Sequence, residues 1–224
     1  MLDTNNLLTK FQLSLRDETN FVYKVLGNNL TMSQIDEINS IETATKIKDR
    51  LAKISTLNRT LNFVKTEKSV FSNNLTLIDS ALPRIMAEII YAFYSSAHTR
   101  LADLVKEVSR QNPMNFDLSE HHPFYVYKVK RLLTDIALGM MPSKVWTDEL
   151  EATGGCLIVK KDSVVKEDGE ILAYHIYNQN EFEDYLFNNT KLETASTTRH
   201  GFGTIYEQDG DQFFNLNLQI RFIK

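Results

Sequence analysis

The residues Phe214-Asn215-Leu216-Asn217-Leu218-Gln219-Ile220-Arg221-Phe222, near the carboxyl end of the chain, alternate strictly between apolar and polar side chains. Because successive side chains of a strand point to opposite faces, this alternation predicts an extended strand with one buried apolar face. The other face would carry amides and a guanidinium, which are the groups that pair with adenine and guanine edges. An ordinary edge strand with a solvated polar face gives the same pattern, so the alternation alone leaves both interpretations open.

The composition is that of a globular protein. The chain has 224 residues, of which 42% are hydrophobic and 24% charged, and this is enough for one large or two small domains. The net charge of −4 argues against attraction of the whole protein to nucleic acid, although a local basic patch can still neutralise phosphates. Seven basic and two acidic side chains lie between residues 46 and 68, and a solvated helix face is the ordinary explanation for such a run.

The cysteine content and the amino terminus bear on the compartment. Cys156 is the single cysteine, so no intrachain disulfide can form, and an inert buried thiol in a reducing compartment is expected. The first ten residues lack the pattern of a signal peptide, and no apolar run approaches the roughly 18 residues that span a bilayer. We therefore expect a soluble, cytoplasmic protein without membrane contact. His121 and His122 have no acid or cysteine at ligand spacing, and we expect them at the surface.

The order of the patterns predicts an α+β fold in three segments. Residues 1–30 hold one strand and are interpreted as the remnant of an upstream region, and residues 31–145 form a helical region. In order, this region is expected to contain a helical stretch capped by Ser33 with its apolar stripe at 35–54, a short strand at 61–66, a turn at Asn73-Asn74, two helices within 79–110, and a helix over 124–140 ended by Gly139 and Pro142.

Residues 146–224 are predicted to be rich in mainly antiparallel strands. The expected elements are strands at 155–160 and 170–177, a helix at 181–187 capped by Asn180 with Phe182, Tyr185 and Leu186 directed inward, a polar loop at 188–201, and a hairpin over 204–223 turned at Asp209-Gly210. The successive helices of the middle region also permit a helix-turn-helix interpretation, although nothing marks a tight turn into a recognition helix.

A segment dense in hydroxyl and basic side chains precedes the terminal hairpin. It runs from Thr190 to His200 and has the sequence Thr-Lys-Leu-Glu-Thr-Ala-Ser-Thr-Thr-Arg-His. Hydroxyl and cationic side chains contact phosphate oxygens, which fix the register of a protein on DNA, while amides and arginine read base edges. Loops rich in serine and threonine are also common without any ligand, so this composition leaves the function open.

Several motifs together resemble the HpaII-type restriction endonucleases, and the resemblance covers nearly the whole chain. They are Thr19-Asn20-Phe21-Val22-Tyr23, Lys130-Arg131-Leu132-Leu133-Thr134-Asp135-Ile136-Ala137-Leu138-Gly139-Met140, Trp146, Gly154-Gly155, Tyr174-His175-Ile176-Tyr177-Asn178, Phe182-Glu183-Asp184-Tyr185-Leu186, Asn189-Thr190-Lys191-Leu192-Glu193-Thr194, Ser196-Thr197-Thr198-Arg199-His200 and Leu216-Asn217-Leu218-Gln219-Ile220-Arg221-Phe222.

The resemblance implies a type II restriction enzyme that recognises a short palindrome in double-stranded DNA, such as CCGG, and hydrolyses it with Mg²⁺. Such nucleases commonly use an acidic residue and an Asp/Glu-x-Lys element, in which carboxylates hold the metal and the lysine positions the attacking hydroxide. No lysine of this chain has Asp or Glu two residues before it. Family members are also longer, so we expect a C-terminal portion that lacks the metal centre, with no metal ligands of its own.

The residues expected to contact DNA come from the hydroxyl-rich segment and from the polar positions of the terminal strand. They are Lys191, Thr194, Ser196, Thr197, Thr198, Arg199, His200, Asn217, Gln219 and Arg221. Lys191 is expected at a phosphate, Arg199 at a phosphate or a guanine, and the last three at bases. The alternative for Arg199 is an ion pair with Glu193, and the alternative for the amides is hydrogen bonding to neighbouring backbone.

Other functions stay open at this point. The main alternative is a non-catalytic DNA-binding or protein-interaction module, and a folded fragment that binds nothing is a third. The strand, strand and helix between 155 and 187 also superficially resemble a histidine-based metal finger nuclease, with His175 and Asn178 as candidates, but Lys160 stands where that fold has its catalytic histidine. The sequence leaves the oligomeric state undecided, with a homodimer as one option.

Overall fold

The computed structural model describes residues 12–13, 19–137, 145–146, 164–165, 171–173 and 179–222. Within these residues, helices dominate the amino-terminal and middle parts and antiparallel strands dominate the carboxyl-terminal part, which confirms the α+β prediction. The predicted strand at 155–160, most of the strand at 170–177, Gly139, Pro142, Cys156, His175 and Asn178 lie outside the described residues.

The larger sheet has four antiparallel strands in the order β3, β2, β8, β7. The central strand β2 (Phe21–Leu26) pairs with β3 (Thr60–Thr66) on one side and β8 (Asp211–Leu216) on the other. Strand β7 (Ile205–Gln208) completes the predicted hairpin with β8, and Asp209 and Gly210 form its turn. The sheet therefore joins strands from all three segments that the sequence suggested.

A smaller sheet has three antiparallel strands in the order β1, β9, β6. Strand β9 (Gln219–Phe222) lies between β1 (Gln12–Leu13) and β6 (Thr190–Glu193). Two further short strands, β4 (Val164–Val165) and β5 (Ile171–Ala173), pair with each other. The terminal alternating stretch is thus divided between two sheets, because β8 ends at Leu216 and β9 begins at Gln219, after two intervening residues.

Eight helices are present in the part of the chain that the structure describes. They are α1 (Met32–Asn39), α2 (Lys46–Thr56), α3 (Ser69–Ile78), α4 (Leu82–Ser95), α5 (Leu101–Gln111), α6 (Phe124–Ala137), α7 (Gln179–Asn188) and α8 (Thr197–His200). The apolar positions at helical spacing that predicted α1, α2, α4, α5 and α6 bury their side chains in one hydrophobic core. None of these helices is long and apolar enough to cross a membrane.

Several local predictions are wrong. Thr31, and not Ser33, caps α1, through a capping box with Gln34. Asn73 and Asn74 lie inside α3 and form no turn, because Val70 and Leu77 flank them in a helical sequence. Asn180 lies within α7, and the Tyr185 side chain, which was expected inward, is 39% exposed. The predicted loop at 188–201 contains strand β6 and helix α8.

The basic run between residues 46 and 68 is only partly solvated. Lys46 and Lys53 reach carboxylates near the surface, as expected for a solvated helix face. Arg50 is instead buried, with 2% of its surface exposed. Its guanidinium donates to the carbonyl oxygens of Gly203 at 2.6 Å, Asn39 at 2.7 Å and Ile41 at 2.8 Å. A buried charge is tolerated here because fixed carbonyl dipoles replace its water.

Candidate nucleic-acid interface

The smaller sheet has one buried and one accessible face. Thr190, Leu192, Ile220 and Phe222 point into the core, and the intervening side chains of β6 and β9 are half-buried. In the antiparallel register Lys191 lies opposite Arg221, and Glu193 lies opposite Gln219. Directly opposite residues share a face of the sheet. Three of the predicted contact residues, Lys191, Gln219 and Arg221, are therefore brought together on one accessible face.

Glu193 links the two cations of this face. Its Oε1 atom lies 2.6 Å from Lys191 Nζ and accepts a hydrogen bond from Arg221 Nη1 at 3.2 Å. The carboxylate therefore orders two long side chains that would otherwise repel each other across the strands. Glu193 therefore pairs with Lys191 and Arg221 and not with Arg199, which was the alternative considered from the sequence. The face keeps a net positive charge from two cations and one carboxylate.

The hydroxyl-rich segment begins with β6, and its remaining residues, 194–200, follow that strand directly. Thr194, Ser196, Thr198 and Arg199 are exposed, and Thr197 is half-buried. Ser196 caps the short helix α8, where its Oγ accepts a hydrogen bond from the Arg199 amide. The cap leaves Arg199 in the last turn, and among the described residues no carboxylate lies within ion-pair distance of its guanidinium. Its charge is therefore available to an anion.

Asn215 and Asn217 are both buried, so the expectation that they belong to an exposed row of amides is wrong. Asn217 is completely buried: it donates to Asn20 Oδ1 at 2.6 Å, and its own Oδ1 accepts from the Leu218 amide at 2.8 Å. Asn215 is 7% exposed and accepts a hydrogen bond from the Tyr206 hydroxyl. The cause is the change of sheet at Asn217, where the backbone leaves one ladder and the amide side chain satisfies a freed N–H group.

His200 is also interior, with 4% of its surface exposed. Its carbonyl oxygen accepts a hydrogen bond from Asn20 Nδ2 at 2.9 Å, so Asn20 joins the end of α8 to Asn217. Sequence reasoning missed this supporting role, although Asn20 stands in one of the motifs that carry the family resemblance. Asn217 and His200 thus hold the segment in place from below and do not line its accessible surface.

Tyr94 contributes a further support that the sequence did not single out. Its hydroxyl donates to the Asn217 carbonyl oxygen at 2.6 Å, and its side chain is hydrogen bonded to Thr194. Burial raises the pKa of Tyr94 well above its ordinary value, so the phenol stays protonated and keeps its role as a donor. The start of the hydroxyl-rich segment is therefore fixed to the core helix α4.

Neither a metal cluster nor the cavity beside α3 gives a second candidate site among the described residues. These residues contain no group of three or more His, Cys, Asp or Glu side chains able to hold a metal ion. His121 and His122 are exposed, as expected. A cavity of about 320 Å³ next to α3 is lined by uncharged side chains, which offer no titratable group for general acid or base catalysis. The side chains of this lining are Val70, Asn73, Asn74, Thr76, Leu77, Val145 and Trp146.

The structure combines a helical core with an antiparallel sheet that presents a basic face, and comparison with known proteins gives the family. The chain belongs to the HpaII restriction endonuclease family, whose model matches residues 10–222. It is similar to the type II restriction enzyme HpaII of Haemophilus parainfluenzae, with 49% identity over 211 residues. The match covers 94% of this chain and 56% of the relative, so the chain spans about half the length of that curated protein. No solved structure matches it.

Proposed function

We propose that this protein recognises a short palindromic DNA site, such as CCGG, as part of the type II restriction endonuclease activity of its family. One observation carries the proposal: Lys191, Gln219 and Arg221 share an accessible sheet face that runs directly into the exposed hydroxyl-rich segment. Cations and hydroxyls suit phosphate oxygens, and an arginine and an amide suit base edges, so one continuous surface offers both kinds of contact.

Within this surface the residues take different roles. Lys191 and the hydroxyls of Thr194, Ser196, Thr197 and Thr198 are proposed at phosphates, where they fix the register. Gln219 and Arg221 are proposed at base edges in the major groove, and Arg199 at a guanine or a phosphate. Asn217 and His200, which the sequence placed in the same set, act through the supports described above because their side chains are buried.

We propose that the family's magnesium-dependent nuclease centre lies in the part of the relative that the match does not cover. Two observations support this: the match covers 56% of the relative, and no lysine of the chain is preceded at two residues by a carboxylate. Magnesium does not fit any cluster in the described part of the chain. When bound in such enzymes, Mg²⁺ generates the hydroxide nucleophile and stabilises the charged phosphorus centre.

The proposed DNA site bears on the oligomeric state and the location of the protein. A two-fold symmetric site is read most simply by two copies of one chain, so a homodimer on DNA is proposed. A cytoplasmic location follows from the proposed substrate.

A binding measurement tests DNA recognition. Fluorescence anisotropy would follow the purified chain on a duplex with one CCGG and on a duplex of equal composition with the site scrambled, over a salt series without metal. We expect tighter binding to CCGG and a linear fall of log K with log salt, because phosphate contacts release counterions. Equal affinity for both duplexes would contradict recognition of this site, and the absence of salt-dependent binding would contradict the interface itself.

A cleavage assay tests the position of the nuclease centre separately. The same chain would be incubated with Mg²⁺ and the CCGG duplex, with the scrambled duplex as control. We expect binding without cutting. Robust cutting at CCGG would refute the proposal that the centre lies outside this chain while supporting the proposed recognition. The second candidate function is a non-catalytic binding module, and the missing Asp/Glu-x-Lys element is the observation that favours it. Such a module would also leave the duplex uncut, but it would bind the CCGG and scrambled duplexes equally well.

A further inference from the structure

The sheet that carries the candidate interface is extended by two residues that precede α5. The Leu192 amide donates to the Thr99 carbonyl oxygen at 2.8 Å, and Arg100 forms an antiparallel bridge with Lys191. Arg100 therefore takes the place of the next strand beyond β6. The cross-strand row on the accessible face becomes Arg100, Lys191 and Arg221, in that order.

The geometry of this row concentrates positive charge. Directly opposite residues of antiparallel strands have Cβ atoms about 4.5–5.5 Å apart and point to the same face. Three cations thus stand side by side over roughly 10 Å. Glu193 pairs with Lys191 and Arg221, whereas Arg100 is exposed and has no ion-pair partner among the described residues. The row keeps two uncompensated charges, and because like charges on neighbouring strands are destabilising, a bound anion would stabilise this row.

The backbone of Arg100 is fixed on both sides, although its side chain is not. Its carbonyl oxygen accepts a hydrogen bond from Leu104 in the first turn of α5, and its bridge to Lys191 fixes it against β6. The following residue, Leu101, is 1% exposed. An arginine on a rigid backbone loses less freedom on binding than one on a mobile loop, and its planar guanidinium can hold a phosphate through two parallel hydrogen bonds.

We propose that Arg100 contacts a backbone phosphate of the DNA bound by this face, and that Arg100 and Lys191 follow the DNA backbone while Arg221, next in the row, stays at a base edge. This inference rests on the proposed DNA recognition and adds to it a residue that lies 91 positions before Lys191 in the sequence. A phosphate role predicts a contribution to affinity that is independent of base sequence.

The test compares Arg100→Ala with Arg110→Ala in the salt series on the CCGG and scrambled duplexes. Arg110 is an exposed arginine near the other end of the same helix, about 15 Å away at 1.5 Å per residue, so it matches the charge change. We expect Arg100→Ala to reduce the slope of log K against log salt by about 0.9 and to weaken both duplexes by the same factor. Arg110→Ala should leave the slope unchanged, and Arg100→Lys should restore most of it.

The possible outcomes distinguish a failure of the Arg100 phosphate contact from a failure of the proposed DNA recognition. If the wild-type chain binds with a steep salt slope and Arg100→Ala has the same slope, the phosphate contact is refuted while DNA recognition stands. If Arg100→Ala weakens only the CCGG duplex, Arg100 reads a base and the phosphate role is refuted as well. If the wild-type chain shows no salt-dependent binding to either duplex, both proposals fail. Circular dichroism melting of each variant verifies that it is folded.

Discussion

The guanidinium of Arg50 connects α2 with the loop that follows α8. Besides Gly203, it bonds the carbonyl oxygens of Asn39 and Ile41 and pairs with Glu42 at 2.9 Å. Several acceptors in different directions need the rigid fork of an arginine, and the single ammonium of lysine reaches fewer of them. Carbonyl groups left without a donor in the interior cost free energy.

We therefore expect Arg50→Lys to lower the free energy of unfolding by about 2–4 kcal/mol. Urea denaturation followed by circular dichroism measures this change. Lys46→Ala is the matched control on the same helix, because its ion pair with Glu42 is near the surface and should change stability by less than about 1 kcal/mol. Equal effects of the two substitutions would contradict the role assigned to Arg50.

Arg199 is the exposed cation of the hydroxyl-rich segment. If it reads a guanine, Arg199→Ala should weaken binding to the CCGG duplex by about 1–3 kcal/mol and relax discrimination at one base pair. A competition assay with duplexes changed at each position of the site measures this pattern. An equal loss on every duplex would move Arg199 to a phosphate, and unchanged binding on all of them would remove it from the interface. The side chain is exposed and makes no ion pair among the described residues, so a change in stability is not expected.

At the scale of elements, local signals predicted local structure well. The hairpin of β7 and β8 was predicted from the pair Asp209-Gly210, and in the structure both residues take the positive φ, of 53° and 83°, that a two-residue hairpin turn requires. The helices α4 and α5 were predicted from apolar residues at helical spacing. These signals lie within a few residues of one another, so a sequence window contains all of the information they need.

Helices α3 and α8 were missed although they are local, whereas the other misses depend on distant partners. Strand β6 has four residues, and it is a strand because β9, almost 30 positions later, pairs with it. Asn217 looked exposed because its burial depends on Asn20, which is 197 positions away, and Arg50 looked solvated because its acceptor Gly203 is 153 positions away. Candidate contact residues could therefore be named from the motifs, but the grouping of Lys191 with Arg221, and the place of Arg100 beside them, required the pairing of the strands.

Helix α4 carries a carboxyl group that makes stability depend on pH. Burial raises the pKa of Glu88, and the nearby Arg84, 3.8 Å away, offsets part of this effect. A raised pKa means that the folded state binds the proton more tightly than the unfolded state. The penalty for the charged form is therefore absent below about pH 4.5, the ordinary value, and is fully present above the higher pKa of the folded state.

We expect Glu88→Gln to be more stable than the wild type at neutral pH and to lose this advantage as the pH falls towards 4.5. Thermal melts of both proteins across this range measure the difference. Asp117→Asn is a useful contrast, because hydrogen bonds from Ser119 lower the pKa of that exposed carboxyl and so favour its charged form. A stability difference for Glu88→Gln that does not vary with pH would contradict the burial effect.

On the scale of the whole molecule, binding to DNA must work against a net charge of −4. This net charge opposes the proposed binding, and the face that carries Arg100, Lys191 and Arg221 would supply a local attraction against it. The smaller sheet that carries this face pairs β1, near the amino end of the described chain, with β9 at its carboxyl end, so strands from both ends support the face. One such face can contact one half of a DNA site, whereas a palindromic site has two identical halves.

This symmetry leads to a prediction about stoichiometry. Two copies of the chain should bind one palindromic site, each with its basic face on one half, because a two-fold DNA site is matched by a two-fold protein arrangement. Sedimentation velocity or native mass spectrometry, without metal, should then find two chains on a duplex with one intact CCGG and a weaker, one-chain complex when one half of the site is changed. A saturated complex of one chain on the intact site would show instead that a single copy spans both halves, and the homodimer proposal would be wrong.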